Sequence, residues 1–187
     1  MDLHIIPECY IDTKLIKALI PPATRYNHQK GCPTVVKVMK ERFGKDFALG
    51  IIDRDKKELA YVSEFDLVVE IPLKLELFKH CQKNHYLIFI CPAIEKWIIS
   101  CADEVAISLS DFNLPHDFKK LIDITKTAKS ENQEVHSDDL QQLFKALKMS
   151  DSKVIKTLQF WVEYLKRNPY QADLEHIRKE TEKILQS

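Results

Sequence analysis

The sequence is poor in glycine, with only 3 glycines among its 187 residues. A phosphate-binding P-loop needs the pattern G-x-x-x-x-G-K-[ST], which does not occur, so an ATPase of that class is excluded. Net charge is also lacking, because 28 Lys and Arg residues balance 28 Asp and Glu residues. The two signs balance both before and after residue 110, so any binding to nucleic acid would need a local basic patch.

The sequence also lacks the patterns of a secreted or membrane protein. The 5 cysteines are Cys9, Cys32, Cys81, Cys91 and Cys101. Their number is odd and no pair has C-x-x-C spacing, which argues against a disulfide framework or a zinc site. No apolar run approaches the ~20 residues of a membrane span, and the first residues lack the basic start and apolar centre of a signal peptide. We therefore expect a cytoplasmic protein with no membrane partner.

Strand and helix patterns alternate over the first 110 residues. Uninterrupted apolar runs at 47–52 and 86–90 indicate strands buried on both faces, and further strands are predicted near 3–8 and 66–71. Helical spacing of apolar residues predicts helices near 12–20 and 33–43 and another after residue 92. This βαβ alternation predicts an α/β domain over residues 1–110 with a mostly parallel central sheet. Segment 23–29 could be a weak strand, and segment 73–78 could be helix or strand.

After residue 111 the pattern is helical. Apolar spacing predicts helices near 121–125, 140–147, 154–165 and 172–185, and the polar segment 129–136 is predicted to be an exposed loop. We therefore expect residues 111–187 to form an all-helical extension that could dock a partner protein.

Acidic residues follow three of the predicted strands. Glu8 ends the first strand, Asp53 and Asp55 end the central strand, and Glu95 opens the helix after 86–90. If these strands are parallel neighbours, the acids meet at the sheet edge where ligands bind in open α/β folds. Carboxylates ~4 Å apart repel by about 4 kcal/mol at an effective dielectric of about 20, so the cluster needs protons or a cation. Oxygen ligands at this density favour Mg²⁺ or Mn²⁺.

Several of these residues also have purely structural interpretations. Two Asp residues after a strand often form only a turn, and Asp12 is predicted to be the N-cap of the first helix. Glu95 could simply stabilise the positive end of its helix. Cys9 and Cys91 lie near the acids, but the sequence places no histidine that would activate either thiol.

Basic residues near the acids are candidates for binding a substrate phosphate. Arg54 and Lys56 flank the carboxylates and could either balance their charge or bind phosphate. His28 and Lys30 precede the second helix, where they could contact a phosphate or lie in a solvated loop.

Three segments resemble the motifs of one family. Glu8-Cys9-Tyr10-Ile11-Asp12 resembles the Glu-Gly-x-x-Asp opening of Toprim domains, and Ile52-Asp53-Arg54-Asp55 resembles their Asp-x-Asp strand end. Residues 90–97 are similar to a Pro-x-x-Glu helix start in Toprim-like proteins of the OLD nucleases and related phage-defence groups. The resemblance covers about residues 1–105.

The resemblance implies a compact Toprim-like βα sandwich that binds Mg²⁺ or Mn²⁺ and hydrolyses phosphodiesters in DNA or RNA. By position, Glu8 would be the general acid/base or a metal ligand, Asp53 and Asp55 would hold the metal, and Glu95 would be an auxiliary ligand. Lys30, Arg54 and Lys56 remain the candidate substrate-binding residues.

The sequence departs from the family pattern at Cys9, which replaces the glycine after the glutamate. Together with the missing ATPase motif, this leaves open an inactive Toprim-like module whose helical tail binds a partner. A receiver domain phosphorylated on a strand-end Asp is a third alternative.

Overall fold

The structure is a computed structural model that describes residues 1–54, 59–126 and 136–187. Within these residues a five-stranded sheet has the order β1-β2-β5-β4-β3. The strands are β1 (Ile5–Pro7), β2 (Ala48–Asp53), β3 (Phe65–Ile71), β4 (Leu75–His80) and β5 (His85–Ile90).

Helices precede, interrupt and follow the sheet in the chain. They are α1 (Tyr10–Leu19), α2 (Cys32–Glu41), α3 (Ile94–Glu104), α4 (Phe118–Lys126), α5 (Ser137–Met149), α6 (Lys153–Arg167) and α7 (Leu174–Gln186). Short 3-10 helices occupy Asp2–His4, Val62–Glu64 and Leu109–Phe112. The α/β class and the helical C-terminal region are therefore confirmed. No helix in the described ranges has the length and apolar character that a bilayer crossing requires.

The sheet is mixed, so the predicted mostly parallel sheet is wrong. β2 runs parallel to both β1 and β5, whereas β4 pairs antiparallel with both β5 and β3. The undecided segment 73–78 contributes to β4, and the connections on either side of β4 are only a few residues long. Such short connections can join only antiparallel neighbours, because a parallel crossover needs a dozen or more residues.

Strand β2 lies at the centre of the parallel part of the sheet and packs tightly against α2. A Cβ at Gly50 would lie 2.7 Å from Cδ2 of Leu87, 3.0 Å from Sδ of Met39 and 3.0 Å from Cγ1 of Val35. Contacts below 3.0 Å are sterically forbidden, so only glycine fits this approach of helix to sheet. This packing fixes the strand that ends at Asp53.

The two faces of the sheet are covered by different helices. One face packs against α2, in a cluster that includes Ile6, Met39 and Leu87. The opposite face packs against α1, α3 and the C-terminal helices in one continuous cluster, which extends from Ile5 to Ile177.

Polar contacts also join the C-terminal helices to the first 110 residues. The Arg178 guanidinium donates to the carbonyl of Val68 on β3 at 2.9 Å. On α1, Nζ of Lys14 donates to Oγ of Ser137 at 2.9 Å. The division of the chain at residue 110 stays a prediction, and these contacts provide a way to test it.

Candidate functional site

The carboxyl ends of the three parallel strands border one cleft of about 390 Å³. Four of the predicted site residues line this cleft, namely Glu8, Lys30, Asp53 and Glu95. They meet because β1, β2 and β5 are adjacent and parallel, and because ligand sites in such sheets lie beyond the carboxyl ends of the strands. The roles predicted for the four residues stay predictions.

Glu8 and Asp53 are held at the ends of neighbouring strands by backbone amides. The Glu8 amide donates to the Ile51 carbonyl at 2.9 Å, which extends the β1–β2 pairing to the acid itself. Oε2 of Glu8 accepts the Asp53 amide at 3.0 Å. Oδ1 of Asp53 accepts the Ile94 amide at 2.9 Å, at the first residue of α3. The two carboxylates are therefore placed before any ligand arrives.

Glu95 enters the cleft from the first turn of α3 and is 9% exposed. Its Oε1 accepts the hydroxyl of Thr125, on α4, at 2.6 Å. Helix α4 therefore fixes the direction of this carboxylate.

Cys9 begins α1 in a capping box with Asp12. The Asp12 amide donates to Sγ of Cys9 at 3.4 Å, and the Cys9 amide donates to Oδ2 of Asp12 at 3.1 Å. The predicted N-cap at Asp12 is therefore wrong by three positions, because Cys9 is the N-cap. Cys9 has φ −138° and ψ 174°, an extended conformation open to any residue, so its replacement of glycine causes no backbone strain.

Asp12 is 1% exposed and lies close to the acids of the cleft. Desolvation by burial raises the pKa of its carboxyl well above the usual value, and the charges of Asp53 and Glu8 raise it further. Within the described ranges, no hydrogen-bond donor reaches Oδ1 of Asp12. The acid cluster therefore carries more negative charge than the protein neutralises with its own donors.

The thiols beside the cleft are poor nucleophiles. Burial raises the pKa of Cys9 well above its usual value, and the charge of Asp12 adds to the shift. Burial likewise raises the pKa of Cys91 to about 12. Both side chains remain protonated near neutral pH, so neither supplies the thiolate that cysteine catalysis requires.

We expect Asp12→Asn to stabilise the fold at neutral pH. Below the usual pKa of 3.8 the carboxyl is protonated in both the folded and unfolded states, so it has no effect. As the pH rises, the unfolded chain ionises first and stability falls until the raised folded pKa is passed. Asn cannot ionise, so its advantage should grow to about 1–2 kcal/mol at pH 7.5.

Urea unfolding of wild type and Asp12→Asn at pH 3.5 and pH 7.5 measures this difference. The exposed Asp46→Asn is the matched control. Equal stability of wild type and Asp12→Asn at pH 7.5 would contradict the electrostatic picture of the cleft.

His28 lies at the cleft in an extended segment beside β1, where the sequence left strand and loop open. The Asn27 amide donates to the Ile5 carbonyl and the Gln29 amide to the Pro7 carbonyl, both at 3.0 Å. The segment follows β1 without being assigned as a strand. His28 lines the cleft and is half-buried, so a fully solvated loop is the wrong interpretation.

Of the other predicted binding residues, Arg54 is not among those that line the cleft. It pairs with Glu76 at 3.4 Å, and its guanidinium lies 4.6 Å from the ring centroid of Phe89. Asp55 and Lys56 lie outside the described residues.

A divalent cation was tested against the residues that are present. In residues 1–54, 59–126 and 136–187, no group of three or more His, Cys, Asp and Glu side chains is arranged to hold a metal ion. Mg²⁺ commonly keeps several waters and uses only one or two protein carboxylates. Glu8 and Asp53, with the buried and unsatisfied Oδ1 of Asp12 near them, fit a cation of that kind.

Three residues of this region did not emerge from the sequence. Tyr10 and Thr13 follow the Glu8 motif on α1, and Thr125 is far away in the chain. A stacking ring and two hydroxyls have no spacing signature, so only the fold reveals that they contact His28 or Glu95.

The chain matches no protein-family model, no curated protein and no solved structure.

Proposed function

We propose that this protein is a Toprim-like, Mg²⁺-dependent phosphoryl-transfer protein that hydrolyses phosphodiester bonds in nucleic acid. The observation that carries the proposal is the convergence of Glu8, Asp53 and Glu95, from the ends of three adjacent parallel strands, on one cleft that Lys30 also lines. The cleft lies within the size range of small-ligand sites, which is about 300–1,000 Å³.

The carboxylates divide the work of the proposed reaction. Asp53, fixed by the Ile94 amide, is the principal metal ligand, with Glu95 as an auxiliary ligand and Asp55 as a further candidate. Glu8, held across the Asp53 amide, is the general base that takes the proton of the attacking water. The cation, when bound, would stabilise the charge that develops on the phosphate oxygens.

Lys30 is the residue proposed to bind the substrate phosphate. It lines the cleft and is exposed, so its ammonium group can reach an anion entering from solvent. The balanced total charge favours local recognition of this kind over broad attraction to nucleic acid. Arg54 and Lys56 stay candidates for contacts outside the cleft.

Calorimetric titration with Mg²⁺ and Mn²⁺ tests the proposal. Wild type should bind at millimolar concentrations or below, and Asp53→Asn should bind about 10–100-fold more weakly or not at all. Asn keeps an acceptor for the Ile94 amide, so the loss would report charge and not folding. Asp66→Asn, exposed on β3, is the matched control.

The same proteins should be assayed on labelled DNA and RNA oligonucleotides with and without a chelator. Cleavage that requires the divalent ion and is lost in Asp53→Asn is the expected result. No binding of either ion by wild type at millimolar concentration would overturn the proposal and leave the non-catalytic interaction module as the better explanation.

A further inference from the structure

His28 lies on the side of the cleft formed by the segment beside β1, whereas Asp53 and Glu95 belong to β2 and α3. Backbone hydrogen bonds anchor the residues on both sides of it, at Asn27 and Gln29. The imidazole stacks on Tyr10 with ring centroids 4.0 Å apart and an angle of 19° between the planes. These contacts give His28 a fixed place at the cleft, unlike the exposed Lys30.

The hydrogen bonds of Thr13 determine the protonation of the ring. The Thr13 hydroxyl donates to the Cys9 carbonyl at 2.8 Å, which uses its single proton. Nδ1 of His28 lies 3.3 Å from the same hydroxyl oxygen, so Nδ1 must carry a proton and donate to it. Nε2 is then the nitrogen at which the ring exchanges a proton with a ligand.

We propose that His28 is the general acid that protonates the leaving oxygen of the phosphodiester, an inference that rests on the proposed function. Water adds to phosphorus and gives its proton to Glu8. The bond from phosphorus to the leaving oxygen breaks with its electron pair, and that oxygen takes the proton from Nε2 of the imidazolium. Glu8 and His28 then return to their starting states by proton exchange with solvent.

Lys30 is less suited to this step although it lines the same cleft. A lysine with an ordinary pKa of about 10.4 releases its proton slowly at neutral pH, whereas histidine titrates near neutrality. Lys30 therefore binds the phosphate, and His28 transfers the proton.

The test compares two esters with different leaving groups, each cleaved by His28→Asn and by wild type. An alkoxide leaving from an oligonucleotide needs a proton, whereas p-nitrophenolate leaving from thymidine 5′-(p-nitrophenyl phosphate) does not. In His28→Asn we expect kcat on the oligonucleotide to fall about 10²–10⁴-fold, with the nitrophenyl ester nearly unaffected. The Asn amide can still donate to Thr13, and exposed His116→Asn is the matched control.

Each other outcome has a defined meaning. Equal losses on the two esters, or no loss on either, would overturn the role of His28 as the acid. Wild type that binds Mg²⁺ but cleaves neither ester would overturn the inference while leaving the metal site intact. Wild type that neither binds the ion nor cleaves would overturn the proposed function itself.

Discussion

Deleting residues 111–187 is expected to leave residues 1–110 unable to fold. Helix α5 packs on α1, and α7 packs on the edge strand β3, so the deletion would expose the apolar surfaces beneath them. These surfaces include Leu15, Ile16 and Val68, which are nearly or fully buried in the full chain. Each fully buried large apolar side chain contributes about 1.5–3 kcal/mol, whereas a whole domain is stable by only about 5–15 kcal/mol.

Solubility, circular dichroism and dye binding of the truncated chain measure this outcome. A point variant tests the same interface in the full chain: Phe144→Ala, at a fully buried position of α5, should destabilise by about 3–5 kcal/mol. Met149→Ala, on the same helix and 85% exposed, is the matched control. A soluble 1–110 fragment that unfolds cooperatively would instead support two separate domains.

The sequence predicted the strands better than their arrangement. The central strands at 47–52 and 86–90 were evident because burial on both faces leaves an unbroken apolar run. The antiparallel half was missed because β3 and β4 have weaker patterns, and an apolar segment at 73–78 fits helix or strand equally well. The usable signal was the shortness of the connections around β4, which excludes a parallel crossover.

The position of the acids was predictable for a simple reason. Glu8, Asp53 and Glu95 each come directly after a strand or open the helix that follows one, so parallel pairing alone brings them to one edge. Arg54 shows the limit of that argument, because the side chain next to Asp53 packs instead on Phe89. Neighbours along a strand point to opposite faces, so adjacency in sequence does not place both at the cleft.

Glu8→Gln is expected to lower the rate of metal-dependent phosphodiester cleavage by about 10²–10⁴-fold, the usual contribution of a general base. Gln keeps an oxygen that can accept the Asp53 amide, so the geometry at the end of β2 should survive the change. What Gln cannot do is take a proton from water. Steady-state kinetics at saturating Mg²⁺ measure the loss, and Glu70→Gln, exposed on β3, is the matched control.

The same variant separates the two roles that position alone allows for Glu8. A general base affects kcat and leaves the affinity for the divalent ion nearly unchanged, whereas a metal ligand affects both. Calorimetric titration of Glu8→Gln with Mn²⁺ therefore distinguishes them, and weakened binding would assign Glu8 to the metal. Unchanged kcat together with unchanged binding would contradict both roles and make Glu8 a structural residue that only caps the Asp53 amide. Because Asp53 has its own anchor at Ile94, the loss expected in Glu8→Gln should not arise from displacement of Asp53.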